Sequence, residues 1–194
     1  MATKEHDPEG FRRYYPVRNE NKVNNKYDFF ISMDESIIYK KNNQSSQQFN
    51  ALISNEDTLN RFKKVLDGSI FEPVLQQHIP NGFELETDGS YKSKFMHGFR
   101  LDMIHTYEII EEVSQMILEQ CELLIQNLAL IDSQNNLFGD WALHNLVFSL
   151  EYQCIMNVDL EGFLTYDPLP NWADFKVVET WLNQFKNNLF KCES

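Results

Sequence analysis

Apolar and β-branched residues first cluster in two short bursts, Tyr27–Ser32 and residues 36–41, separated by Met33, Asp34 and Glu35. Runs of that length and composition predict two strands joined by a tight turn, a hairpin. A polar loop over 42–46 follows and ends in serines suited to cap a helix. The period then changes. From there to Leu66, Phe49, Leu52, Ile53, Leu59, Phe62, Val65 and Leu66 recur at helical spacing. Ser54 or Asn55 is suited to cap a second helix, so 55–57 is the candidate break, and Asp67-Gly68 ends the segment. Residues 70–75 and 82–85 are short extended candidates. Asp88-Gly89 is a hairpin signal, which predicts a returning strand over 91–96, with 96–100 as a connector.

The longest periodic stretch runs from 105 to 131. Ile109, Ile110, Val113, Met116, Ile117, Cys121, Leu124, Ile125 and Leu128 make a broad apolar face, as in a core helix. Two further apolar runs, 146–148 and 154–158, read as strands. Residues 162–170 are turn-rich, and 172–190 reads as a closing helix with Phe175, Val178, Trp181, Leu182 and Phe185 inward. Trp172, Phe175, Trp181 and Phe185 are read as core. The expected fold class is α+β.

Composition narrows the field. A chain of 194 residues with 42% hydrophobic and 24% charged content can bury a real core, as one domain or as two small lobes around a cleft. The net charge of −12 argues against non-specific binding to nucleic acid or anionic membranes. Cys121, Cys154 and Cys192 are too scattered for a disulfide framework or a zinc site and fit a reducing compartment. The polar, acidic start lacks an export signal, and no apolar run approaches the about 20 residues that span a bilayer. A cytoplasmic protein without membrane insertion is expected. Residues 1–26 carry Arg12, Arg13 and Arg18 around Tyr14-Tyr15-Pro16. Such arginines can meet phosphate, but a solvated arm laid on the body is the preferred reading.

Candidate chemistry is concentrated late in the chain. Asp140 and Asn145 lie five apart in the loop before one strand-like run, and Asp159-Leu160-Glu161-Gly162 follows the next. Adjacent strands carrying Asp-x4-Asn and Asp-x-Glu-Gly bring oxygen ligands to one point, as a hard divalent cation on a nucleotide requires. An isolated Asp-x4-Asn is usually a polar turn; the pairing of the two motifs is what favours a metal site.

This order of parts resembles the kinase-like fold, in particular its aminoglycoside phosphotransferase and choline kinase branches. Gly139-Asp140 with Asn145 is similar to that group's catalytic loop. Val158-Asp159-Leu160-Glu161 is similar to its metal-binding segment, and Ile37-Ile38-Tyr39-Lys40 to its phosphate-holding strand. The resemblance covers roughly 27–165 and implies a two-lobe fold. A small antiparallel sheet lobe over 1–96 would precede a truncated helical lobe over 97–194, with the catalytic loop at 138–145 and the metal-binding segment at 157–162. It implies Asp140, Asn145 and Asp159 as catalytic residues and Asn145, Asp159 and Glu161 as ligands of Mg2+ or Mn2+. It also implies Lys40, Glu56, Met96 and His97 as nucleotide contacts, Glu56 being the ion-pair partner of Lys40 and 95–101 the link between lobes. Strand alternation puts Lys40 and Lys41 on opposite faces, and the sequence leaves open which faces the cleft. Glu56 serves equally well as helix-start capping chemistry.

The chain also departs from that pattern. No glycine occurs between Gly10 and Gly68, so a glycine-rich lid is missing, and Asp34 and Glu35 at the hairpin tip would repel phosphate. Phe138 stands where histidine usually buttresses the loop. Ala142 replaces the lysine of ordinary protein kinases. His144 is read as bonding a nearby carbonyl, His97 as exposed, and Trp141 as packing under the loop. The expected function is transfer of phosphoryl from ATP, with Mg2+, to a hydroxyl of a small-molecule or sugar-type acceptor. The alternatives are a protein-modifying enzyme acting by phosphorylation or nucleotidyl transfer, with a protein partner, and a non-catalytic binding module.

Overall fold

The structure is a computed structural model that describes residues 7–15, 26–44, 47–134, 137–164 and 174–189. The described residues form a mixed α and β chain with a five-stranded antiparallel sheet, a three-stranded antiparallel sheet and five α-helices. They divide into two compact units. One holds the chain up to Ser69 and again over Asn81–Phe95; the other holds Ile70–Pro80 and the chain from Met96 on. Segment 70–80, expected in the first lobe, therefore belongs to the second unit.

In the first unit the sheet order is β1-β2-β3-β5-β4, from β1 (Phe11–Arg13), β2 (Tyr27–Ser32), β3 (Ile37–Asn42), β4 (Gly82–Leu85) and β5 (Tyr91–Lys94). The predicted hairpin is β2–β3, with Ile31 opposite Ile38. Its turn holds Glu35 at φ 58°. The Asp34 carboxylate braces it, accepting from Ser32 Oγ at 2.6 Å, Ser36 Oγ at 2.8 Å and Ser36 N at 3.1 Å. Those bonds from Ser32 and Ser36 hold its pKa down at about 2. The arm expected to lie on the body does so as β1, which pairs with β2 while Arg12 and Arg13 stay exposed; the strand itself was not expected. An open strand edge and an available Phe11, whose ring lies 5.9 Å from Tyr39, explain the difference. Arg12 pairs with Glu35, and the Arg13 guanidinium lies 5.4 Å from the Phe30 ring centre. Pro16, Arg18 and the serines at 45 and 46 lie outside the described residues.

Helices α1 (Gln47–Ile53) and α2 (Glu56–Leu66) break at the expected place. Asn55 caps α2, its Oδ1 accepting from Asp57 N at 2.8 Å and Thr58 N at 3.4 Å. Phe62 and Val65 of α2 are fully buried. The Phe62 ring meets Tyr91 at 5.1 Å, and Tyr91 meets Tyr27 at 5.7 Å, which seats the helix on one face of the sheet.

In the second unit, 70–80 is not extended. Pro73 opens a short helix α3 (Pro73–Gln76), a position its fixed φ suits. Phe71 and Leu75 are buried. The small sheet has the order β6-β7-β8, from β6 (Gly98–Arg100), β7 (Leu146–Ser149) and β8 (Cys154–Asn157). Residues 98–100, read as connector, form a strand because Gly98 lies flat against β7; a Cβ there would sit 1.9 Å from Phe148 O. The long helix α4 (Glu111–Ser133) starts later than expected, after a 3-10 turn at Leu101–Thr106. Ile110, counted toward its apolar face, is 63% exposed. Of the rest, Ile117, Cys121, Leu124 and Leu128 are fully buried, Val113, Met116 and Ile125 are half-buried, and Ile109 precedes the helix. Helix α5 (Phe175–Leu189) buries Val178, Leu182 and Phe185, and Lys186 pairs with Glu122 of α4. Phe175 and Trp181 are only half-buried, and Trp172 lies outside the described residues. Among the described residues no helix is long and apolar enough to cross a membrane.

His78 explains much of the hold on 70–80. Its ring is fully buried, with Nδ1 2.7 Å from Ile155 O and Nε2 3.1 Å from Asn127 Nδ2. These partners specify a neutral ring that donates from Nδ1 and accepts at Nε2. Burial pushes its pKa below the ordinary 6.5, against the opposing pull of the Ile155 carbonyl. The unfolded chain thus binds this proton at a higher pH than the folded one. The contribution of His78 to stability should be complete above about 6.5 and decline as pH falls below it. Denaturant midpoints measured across pH 5–8 should show that decline in the parent and lose part of it in His78→Asn. In the other unit, Asn55→Ala should cost about 1 kcal/mol by chemical denaturation, with Asn55→Asp near neutral.

Candidate functional site

An antiparallel hairpin brings the start of one strand and the end of the next to the same place. Leu146, first in β7, pairs with Asn157, last in β8. Val158 N extends the ladder to Asn145 O at 2.9 Å. Asn145 and Asp159 therefore leave the small sheet together.

Asp140 joins them through its backbone. Its carbonyl accepts from Asn157 Nδ2 at 2.7 Å and from Asn145 Nδ2 at 3.3 Å. Asn157 Oδ1 in turn accepts from Asp159 N at 3.0 Å. One fully buried amide thus ties the segments bearing both acids. On Asp140 itself, Oδ1 accepts from Ala142 N at 3.1 Å, which orients the carboxylate. Gly162 closes the turn after Asp159. A Cβ there would lie 2.7 Å from Asp159 Oδ2 and 3.4 Å from Asp140 Cβ, so the bare backbone admits both side chains.

Aromatic packing supports the loop at Phe138. Phe138 stacks on Phe71, with centroids 5.4 Å apart and planes at 5°. Phe163 meets Phe71, Phe138 and Trp141 edge-on at 4.9, 5.7 and 5.6 Å. Such pairs contribute ~0.5–1.5 kcal/mol each beyond burial. Trp141 is fully buried and donates Nε1–H to Phe138 O at 2.9 Å, so it packs under the loop as expected. Gly139 passes over the Phe163 ring at φ 92°, where a Cβ would come within 2.1 Å of it. No protein-family model matches the chain, and none of the curated proteins is similar to it in sequence. The geometry of the site is what bears on function.

The other candidate residues fare unevenly. Lys40 is enclosed, at 7% exposure, while Lys41 is half-buried. Lys40 Nζ lies 5.3 Å from the Tyr91 ring centre and 5.8 Å from that of Phe29. This places Lys40 on the sheet face that α2 covers. Glu56 is exposed in the first turn of α2 and joins no ion pair among the described residues; its position is that of helix-start chemistry. Met96 packs with Val147 and Met156 inside the second unit. His97 is exposed, and its carbonyl accepts from Leu150 N at 3.0 Å. His144 is also exposed. Glu161 is buried in the 3-10 turn Leu160–Phe163. Among the described residues, no three His, Cys, Asp or Glu side chains gather as a metal cage, so Asp140, Asp159 and Glu161 do not form a triad. Burial pushes the Cys121 thiol up to about 12 and raises that of Cys154, leaving both protonated and poor nucleophiles.

Sequence reasoning missed Asn157, Phe71 and Phe163. Only Asn157 left a trace, as a polar residue interrupting the apolar run 154–158. Gly139→Ala should destabilise the second unit by about 3 kcal/mol, combining a strained backbone with overpacking against Phe163. Thermal unfolding would register it, and Phe163→Leu in the same background should restore part of the loss.

Proposed function

We propose that this chain is a compact phosphotransferase of the kinase-like type, moving phosphoryl from ATP to a hydroxyl group. The observation that carries the reading is the joining of Asp140 and Asp159 by one buried amide, Asn157, with both side chains gathered over Gly162. Two carboxylates and an amide suit magnesium, which binds through one or two carboxylates and keeps much of its water. Asn145 fits this donor set, because its Nδ2 is spent on Asp140 O while its Oδ1 receives none of the described bonds. When bound, the cation would offset charge on the phosphate oxygens.

The chain's own groups do the rest. Asp159, Asn145 and, in a lesser role, Glu161 would hold the cation. Asp140 would orient the acceptor hydroxyl and take its proton on Oδ2, since Oδ1 is engaged with Ala142 N. The resemblance to the kinase-like fold is what would assign Lys40 to nucleotide phosphate. A small-molecule or sugar-type acceptor is favoured, because Ala142 leaves no lysine two residues after Asp140. A second reading, a non-catalytic module of the same fold, is supported by Glu56 standing exposed while Lys40 is enclosed. Phosphorylation or nucleotidylation of a protein partner remains an arm of the test.

Incubation with Mg2+ and γ-labelled ATP, alone and with cell extract, should place label in small molecules. Label in protein would favour the protein-modifying alternative, and none anywhere the binding module. Asp159→Ala should abolish metal-dependent nucleotide binding measured by calorimetry. Asp140→Ala should keep that binding while turnover falls by about 10²–10⁴-fold. Unchanged Mg-ATP affinity in Asp159→Ala would remove the metal assignment. Lys40→Met should weaken ATP binding, and Lys41→Met should leave it unaltered.

A further inference from the structure

We propose that His78 is a positioning residue for Asp140 and Asp159, acting through the free edge of β8. It rests on the phosphotransfer reading only for what those two acids do. In the order β6-β7-β8, β8 is an edge strand, and its outward N–H and C=O groups need partners. Residues 77 and 78 supply them. Asn157 N donates to His78 O at 2.7 Å, and Ile155 O accepts from His78 Nδ1 at 2.7 Å. Cys154 Sγ reaches Gln77 O at 3.5 Å. A fourth strand would have made such bonds with backbone alone; here an imidazole makes one of them.

The ring is braced from behind. Asn127 Nδ2, on α4, donates to His78 Nε2 at 3.1 Å and to Val74 O at 3.3 Å. The ring is fully buried, away from bulk solvent. Among the described bonds, Asn157 is the link between His78 and the acids. His78 holds its backbone N–H, while its side chain holds Asp140 O and Asp159 N. A small displacement of Asn157 therefore moves both acids together, and reacting groups tolerate little misplacement. None of the described hydrogen bonds of His78 goes to either acid, so it acts through this amide.

Three variants of the whole chain separate positioning from bulk stability. His78→Asn keeps a side-chain N–H for Ile155 O, and His78→Leu fills the volume without one. Asn127→Leu leaves the imidazole but removes its brace, and it carries the test if His78→Leu does not fold. Amide hydrogen exchange at Asn157 and Asp159 is read without metal or nucleotide, against Leu124 and Leu128 of α4. Both leucine variants should accelerate exchange at Asn157 and Asp159 by about ten-fold or more relative to α4. Mn2+ affinity by electron paramagnetic resonance, and turnover with ATP, should fall together by about ten- to a hundred-fold. His78→Asn should recover much of each. Exchange that rises equally in β8 and α4, with Mn2+ affinity intact, would overturn the proposal. A parent chain that binds no Mn2+ and labels nothing would remove the phosphotransfer reading, while exchange would still decide whether His78 positions the two acids.

Discussion

A buried amide must be satisfied on both sides, and the second unit is arranged around one that is. Asn157 is fully buried, and leaving either end of its side chain unpaired would cost about 1–3 kcal/mol. The donor end goes to the Asp140 carbonyl and the acceptor end to the Asp159 amide. Placing this residue at the last rung of β8 forces the loop before β7 and the turn after β8 to meet over it. The two acids are neighbours because their backbones share one side chain, not because they attract.

The aromatic hub answers a second need. Two carboxylates near one another repel, and the segments bearing them must be held together by something other than charge. Phe163 does this by standing edge-on to Phe71, Phe138 and Trp141, so the turn after Asp159 and the loop before Asp140 share one apolar floor. Phe138 adds to that floor by stacking on Phe71. Gly139 and Gly162 then allow backbone to approach ring and carboxylate more closely than any side chain would permit.

Local signals in the sequence proved dependable. The β2–β3 hairpin, the Asn55 cap and the pair β7–β8 rest on turns, caps and periodicity within a few residues, and each formed as expected. What escaped depends on partners distant in the chain. β1 is a strand because β2 offers an edge, and β6 because β7 does. Segment 70–80 is helical and inward because Phe71 and His78 find partners more than sixty residues away. The nearness of Asn145 and Asp159 was legible because they sit at the open end of a hairpin. Asn157 was not, since a polar residue closing a strand looks the same whether solvated or buried. Glu56 failed for a plainer reason: an acid at a helix start has a complete explanation without a lysine.

The first strand has one further consequence. Among the described residues β1 pairs with β2 over three residues, flanked by the Met33 N–Gly10 O and Tyr14 N–Phe29 O bonds and pinned by the Arg12–Glu35 pair and the Phe11 ring. A proteolytic nick after Arg13 would strip that cover and leave β2, with its run of aromatic and branched residues, as a bare template for like chains. Clipping at the amino-terminal end would then appear as lateral self-association and precipitation before any loss of the hairpin carrying the acids.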